Sequence, residues 1–362
     1  MKIRSVFSEA MRNIGSGTAH AVVLCLAVLL CGVLFGGYEA YDIITMQQEA
    51  QTRVNALADA DMIATDGGVD GVACDGLPEG TASAGMHAGA VDAGAEIALL
   101  STPGKALQSF EVSPGMLELI ASNDAHITKV DTSGVWIPED VARDFGLSEG
   151  SRVQTSQGVM EVAQVYAWPN DGRDTRFSYT FLIPRQASGE RFNECWVRQW
   201  PHSQEASDLM YSTLIADGRS MQAAVIGVNK GFDAQYDPYR TYVARATRWV
   251  PVLAALCGVV IGVYAVQRRR LEYAGALHSG QPKGAQLLGI GVEAFVWSAL
   301  GAVSACALIC AYCVRAAPSD AQTVVQAACR APLATAAAAL VVAMVTGLTV
   351  RQSQLFKLFK HR

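Results

Sequence analysis

Val22-Val23-Leu24-Cys25-Leu26-Ala27-Val28-Leu29-Leu30 lies within 26 consecutive uncharged residues between Arg12 and Glu39. About 20 mostly apolar helical residues cross the hydrocarbon of a bilayer, so this stretch is long enough to span one. Three others repeat the pattern, with 19 uncharged residues between Arg248 and Arg268, 21 between Glu293 and Arg315, and 20 between Arg330 and Arg351. A single run of this kind could be a buried core helix; four with basic flanks read as membrane helices. A cleaved secretory signal needs small residues at −1 and −3 of the cleavage site. Before Tyr38 these would be Gly37 and Phe35, and before Tyr41 they would be Ala40 and Tyr38. The first stretch therefore reads as an uncleaved membrane helix.

Composition agrees. Of the 362 residues 51% are hydrophobic and only 17% charged, against about 25% charged in soluble domains. The formal net charge of −5 is unevenly spread. Residues 41–247 hold 28 of the 33 acids and 14 of the 28 bases, a local net of −14, and the rest of the chain carries +9. Lys and Arg near span ends mark the cytoplasmic side. Lys2, Arg4 and Arg12 precede the first span, Arg268, Arg269, Arg270 and Lys283 lie between the second and third, and Arg351, Lys357, Lys360 and Arg362 follow the fourth. All three groups fall on one side of a four-helix topology, so both termini are expected in the cytoplasm and the acidic segment outside. No nucleic-acid partner is expected of so acidic a segment.

The expected organisation is an amphipathic helix at 1–17, spans at 18–40, 248–267, 285–314 and 331–350, an extracytoplasmic segment at 41–247, a cytoplasmic loop at 268–284, a short external loop at 315–330 and a basic tail at 351–362. Ile3, Phe7, Met11 and Ile14 recur at helical spacing and suit a helix lying on the membrane surface. Residues 39–59 lack Gly and Pro and read as a helical stalk; 67–98, rich in Gly and Ala, read as loop. From Ala98 an α+β pattern follows. Helices are expected over Ser113–Ser122, Glu139–Phe145 and Ser203–Asp217. Strands are expected over Asp61–Thr65, Ile127–Val130, Phe177–Ile183, near Cys195–Val197 and over Ala223–Val228, with a hairpin across Ser156-Gln157-Gly158, and Val135-Trp136-Ile137-Pro138 leads into the helix that starts at Glu139. Residues 239–267 read as one long helix. The fold class expected is thus a membrane α-helical protein of four spans, with a large α+β domain inserted between helices 1 and 2.

Catalytic chemistry is hard to find. Gly280-Gln281-Pro282-Lys283-Gly284 lacks the glycine spacing, the Ser/Thr after Lys and the preceding strand of a phosphate-binding loop. His87, His126 and His202 are far apart, and no Cys/His spacing suggests zinc; Met86-His87 is the nearest approach to a soft ligand pair. The chain reads as no enzyme and as carrying no cofactor. Five of nine cysteines (Cys25, Cys31, Cys257, Cys306, Cys310) sit within apolar helices as small hydrophobes. Cys74 and Cys195 in the outer domain, and Cys313 and Cys329 across the short loop, form two even pairs on the expected oxidising side, candidates for two disulfides.

One spacing stands out. Arg268-Arg269-Arg270-Leu271-Glu272 is followed by Gly280, Glu293 and Gly301, at intervals of 8, 13 and 8 residues. With Phe7-Ser8-Glu9-Ala10-Met11-Arg12-Asn13 before the first span, and one helix, a large outer domain and three helices in order, the chain resembles FtsX/MacB-type ABC transporter permeases over essentially its whole length. The resemblance implies that the loop of Arg268, Arg269, Arg270, Glu272, Gly280 and Glu293 couples to a separate ATPase subunit, which alone binds ATP. It also implies pairing with a second permease as homodimer or heterodimer. The work implied is export or extraction of an amphipathic peptide, lipid or drug through motion of the outer domain; an FtsX-like regulator of a cell-wall hydrolase is the other reading, and a membrane sensor a third. Here the chain departs from the family in Tyr273-Ala274-Gly275-Ala276-Leu277-His278-Ser279 and Gln281-Pro282, where two glycines and a proline are expected to weaken the coupling helix. Bland readings accompany each residue. The arginines serve topology as well as an interface, Glu293 suits a helix N-terminus or an arginine partner, and Gly289, Gly291 and Gly301 suit close helix packing. Leu355-Phe356-Lys357-Leu358-Phe359-Lys360 reads as an interfacial anchor in membrane lipid.

Overall fold

The computed structural model describes all residues except 1–2, 81–84, 101–103, 202–203, 217–222, 234–235 and 353–362. Two helices open the chain, α1 (Ile3–Gly15) and α2 (Ala21–Asn55). A sheet domain follows, with β1 (Ala60–Asp70), α3 (Gly71–Asp75), α4 (Leu77–Gly80), β2 (His87–Ala93), β3 (Ile97–Ala98), β4 (Ala106–Val112) and α5 (Pro114–Ala121). It continues through β5 (Val135–Pro138), α6 (Glu139–Phe145), β6 (Arg152–Thr155), β7 (Gly158–Tyr166), β8 (Thr180–Pro184), β9 (Arg191–Arg198), α7 (Gln204–Met210) and β10 (Val225–Gly227). The last helices are α8 (Pro238–Ala244), α9 (Val250–Arg268), α10 (Arg270–His278), α11 (Lys283–Ala316), α12 (Ala321–Ala328) and α13 (Arg330–Thr349). The chain divides into two units, Met1–Gln48 with Tyr239–Arg362, and Glu49–Pro238.

Among the described residues of the chain, four helical stretches are long and apolar enough to cross a membrane: Ala21–Asn55, Pro238–Arg268, Lys283–Ala316 and Ala321–Thr349. Only 28–39% of each apolar window is buried by the chain itself. The remainder, including Val22, Leu34, Val260, Val303 and Val341, is exposed. Apolar surface on this scale is suited to lipid rather than to water. The spans pack through small residues at every fourth position. Ala254, Gly258, Gly262 and Val266 form the buried stripe of α9, and Ala331, Thr335, Ala339, Ala343 and Gly347 that of α13. A Cβ on Gly258 would stand 2.3 Å from the Thr335 carbonyl, and one on Gly262 2.5 Å from that of Ala339. Only glycine allows this backbone approach, the means by which helices associate where lipid removes the hydrophobic drive. Gly301 of α11 does the same against α2, where a Cβ would lie 2.7 Å from the Cys25 carbonyl.

The second unit is built on a ten-stranded mixed sheet, ordered β10-β1-β9-β2-β4-β8-β5-β7-β6, with β3 beside β4. β4 with β8 and β5 with β7 are parallel; the other pairs are antiparallel. An aromatic cluster fills one core. Phe177 stacks on Trp196 at 5.2 Å between ring centroids and meets Phe110 and Trp168 edge-on. Tyr166 is fully enclosed beside Trp168 and donates to the Phe177 carbonyl. A disulfide joins Cys74 of α3 to Cys195 of β9, closing a separation of 121 residues.

The fold class is the expected one, with local corrections. Residues 67–98 are not simply loop, because β1 runs to Asp70 and β2 lies between β9 and β4. The centre of β2, Ala88-Gly89-Ala90, is composed of small residues because α5 sits directly on it. A Cβ on Gly89 would fall 1.9 Å from the Met116 backbone nitrogen. Ile127–Val130 is irregular chain, with Ile127 buried against the core. Phe177 and Ser178 belong to a 3₁₀ turn, Thr175–Ser178, before β8. Helix α7 gives way to a 3₁₀ turn, Tyr211–Thr213, before reaching Asp217, which lies outside the described residues. The long helix expected over 239–267 breaks at Arg245, whose φ/ψ of −54°/136° is extended. The Arg245 side chain turns inward to the Tyr242 carbonyl and to Glu39. The 315–330 loop contains α12. The basic tail 355–360 lies outside the described residues.

Candidate functional site

Where α1, α10 and α11 meet, one buried arginine gathers the motif. Arg269 caps the junction of α9 and α10. Its Nη1 donates to Glu293 Oε2 and its Nε to Glu272 Oε2 at 2.8 Å, and the guanidinium lies over the Tyr273 ring at 5.0 Å. Glu293 Oε1 accepts from Asn13 Nδ2 of α1 at 2.8 Å. The side chains of Arg269 and Glu293 are each 8% exposed, whereas that of Glu272 is 58% exposed. Burial, with Glu293 next to it, pushes the Tyr273 phenol well above its ordinary range, so it stays protonated and bonds to that carboxylate. A cleft of about 200 Å³ opens over the cluster, lined by Val6, Asn13, Glu272, Tyr273, Gln286 and Glu293, among others.

Gly280 has a different role. Its φ is +93° and a Cβ there would meet nothing within 4 Å, so it is chosen for conformation and not for space. The Gly280 amide donates to the Leu277 carbonyl at 3.2 Å and the Gln281 amide to that of Ala276 at 3.1 Å. This is the paired closure of a helix by a left-handed glycine. It ends α10 sharply, so Pro282 can begin α11 two residues later. The short helix forms with Gly275 in it; Gln286 Nε2 bonds the Tyr273 carbonyl and Gln352 Nε2 that of Leu277.

The structure therefore brings Arg269, Glu272 and Glu293 together and sets Gly280 as the terminator of the same helix. Arg268 faces Tyr264, whose hydroxyl accepts from it at 2.9 Å, and Arg270 lies beside Gln267; neither enters the cluster. Gly289 faces nothing closer than a Val6 methyl at 3.9 Å, so it is no close-packing point. Asn13 and Tyr273 are partners that spacing could not single out, although both stand in the segments quoted for the resemblance. Cys74 and Cys195 are bonded. The second pair expected, Cys313 with Cys329, is not formed. Cys313 is buried among Ile309, Val324 and Ala327, and the Cys329 thiol is hydrogen-bonded to Cys306 instead.

A second polar constellation lies in the sheet domain, at the end of α2. Main-chain carbonyls at a helix C-terminus lack intrahelical partners and carry the negative end of the dipole. Here Arg198 Nη2 donates to Val54 O at 3.0 Å, Arg173 Nη2 to Asn55 O at 2.6 Å, Asn123 Nδ2 to Asn55 O at 3.1 Å and Asn229 Nδ2 to Ala56 O at 2.7 Å. Arg198, in turn, is held by Asp59 Oδ2 at 3.0 Å and Ser122 Oγ at 2.8 Å, and Arg173 by both oxygens of Asp171. Arg53, on the same helix, stacks over Tyr236 at 3.9 Å and Phe232 at 5.1 Å. Charged and aromatic groups from distant segments thus grip the last turn of α2. No group of three or more His, Cys, Asp or Glu that could hold a metal ion occurs among the described residues.

No family model matches the chain. No curated protein matches it. Solved structures do show a likeness. A domain of a Porphyromonas gingivalis protein named as a permease aligns at 13% identity with a TM-score of 0.32, over 52% of this chain and 97% of its own. The periplasmic region of MacB from Actinobacillus actinomycetemcomitans aligns at 9% identity with a TM-score of 0.34, over 49% of this chain and 92% of its own.

Proposed function

We propose that the chain is the membrane-spanning permease subunit of an ABC transporter, working with a separate ATPase subunit that binds and hydrolyses ATP. The observation that carries this reading is the cluster at α10. The helix between the second and third spans is tied at its start through buried Arg269 to Glu293, and through Glu293 to Asn13 of α1; its end is cut by Gly280. A displacement of such a helix bears on α11 through Glu293 and on α1 through Asn13. Exposed Glu272 and the open cleft beside it leave a surface for a docking subunit. The spacing of Glu272, Gly280, Glu293 and Gly301 supports the same role through the resemblance to FtsX/MacB-type permeases.

In this reading α10 and both termini face the cytoplasm, and the sheet domain lies outside. Nucleotide-driven motion at α10 travels along α2, whose last turn the sheet domain grips, and displaces an amphipathic substrate. Affinity purification of the full chain from its native membrane, followed by mass spectrometry, tests the reading. A stoichiometric partner carrying a phosphate-binding loop is expected. A chain that purifies without any such ATPase, under conditions that retain its lipid, would overturn it.

A further inference from the structure

His87 opens β2, and its direct cross-strand neighbour on β9 is Arg198. Arg198 is the side chain that holds the Val54 carbonyl at the end of α2, and it is buried at 7% exposure. The charged groups that face His87 are Arg198 from β9, Glu118 from α5 and Asp59 from the turn before β1. Asp59, 2% exposed, is also the carboxylate that anchors Arg198. A neutral imidazole leaves this arrangement alone. An imidazolium repels the Arg198 guanidinium and attracts the Asp59 carboxylate that anchors it, and both effects work against the bond to Val54 O.

We propose that protonation of His87 loosens the grip of Arg198 on the end of α2, so that the attachment of the sheet domain to this helix responds to the pH of the compartment around that domain. Half-burial of His87, and then the Arg198 charge, hold its proton affinity below the ordinary histidine value. The sign follows. A cationic group with a lowered native pKa favours the native arrangement above the unfolded value of 6.5, and that contribution is lost as pH falls through the native pKa. The grip is therefore complete at neutral pH and weakens on acidification. The proposal deepens the transporter reading, since a loosened α2 would transmit less motion, but its test needs no ATPase.

Hydrogen exchange of the full chain in lipid nanodiscs, followed in peptides covering residues 52–60 and normalised at each pH to the unfolded chain, measures the grip directly. Between pH 7.5 and 5 the protection of these amides is expected to fall several-fold, with β5–β7 unchanged. His87→Gln is expected to remain protected throughout, and His87→Arg to be weakly protected at both pH values. Wild-type-like protection of β5–β7 reports that the variants are folded. Wild-type protection that does not change, or a His87→Gln chain that loses protection as wild type does, overturns the proposal. If a variant misfolds, the wild-type titration still decides. Co-purification of an ATPase has no bearing on either outcome, so failure here is distinct from failure of the transporter reading.

Discussion

The helical unit and the sheet domain each bury an arginine beside a carboxylate, but they use it differently. In the helical unit Arg269 is answered by side-chain charges, Glu293 and Glu272, and a single amide, Asn13, extends the chain of contacts to α1. In the sheet domain Arg198 is answered by Asp59 and a main-chain carbonyl, and three further side chains share the same helix end. In the first arrangement Arg269 would keep Glu272 if Glu293 were lost, but Glu272 is largely exposed whereas Glu293 is enclosed, so the two are not equivalent. The second is redundant at the helix end, where the acceptors are neutral main-chain carbonyls. A rigid connection and an adjustable one follow from the same residue type by the choice of partner.

Glu293→Ala is expected to have the largest effect. Removing one partner of a buried ion pair costs about 3–5 kcal/mol when the other is left unpaired; Glu272 still holds Arg269 here, so the lower end of that range is expected. Loss of folded chain in membranes, read by thermal unfolding of the detergent-solubilised protein, is the expected result. Replacing both Cys74 and Cys195 by serine tests the other region. Opening a closure of 121 residues is expected to destabilise the sheet domain by about 2–5 kcal/mol and to leave the spans intact. Proteolysis cutting within 60–230 before the helices, in the oxidised-versus-serine comparison, would show this.

Much of the helical unit was legible in the sequence, because a bilayer demands long stretches without charge and nothing else in a chain of this composition supplies them. The Glu272, Gly280, Glu293 and Gly301 spacing was also visible, yet its four members act in different ways: an exposed acid, a helix terminator, a buried ion-pair partner and a close-packing point. Spacing cannot separate these roles. Strand β2 was hidden by its composition, since the residues needed under α5 are the small ones that otherwise signal loop. The break at Arg245 follows from a long-range pairing with Glu39 that no local pattern contains. The grip on α2 was illegible for the same reason, with Arg198 meeting Val54 across 144 positions and Arg173 meeting Asn55 across 118.

The seam between α9 and α13 sharpens the comparison at smaller scale. Gly262→Leu places a side chain against the Ala339 carbonyl, where even a Cβ is at 2.5 Å, and overpacking of this kind costs about 1–3 kcal/mol. A drop in the unfolding midpoint of the helices, with unchanged exchange in the sheet, is expected. Glu272→Gln should have the smallest effect on stability, within about 0.5 kcal/mol, because the residue is largely exposed. Its effect is expected instead on coupling, as a several-fold lower ATPase rate of the reconstituted complex at an unchanged melting temperature.

Site-specific photo-crosslinking tests the central claim most directly, with the crosslinker placed either at position 272 or 278 of α10, or at Leu100 or Val159 of the sheet domain, all exposed in the structure. The account expects adducts between α10 and a subunit carrying a phosphate-binding loop, lost when that subunit is removed, and none with it from the sheet positions. Adducts to the ATPase from the sheet domain, or none from either α10 position in a complex that hydrolyses ATP, would contradict it.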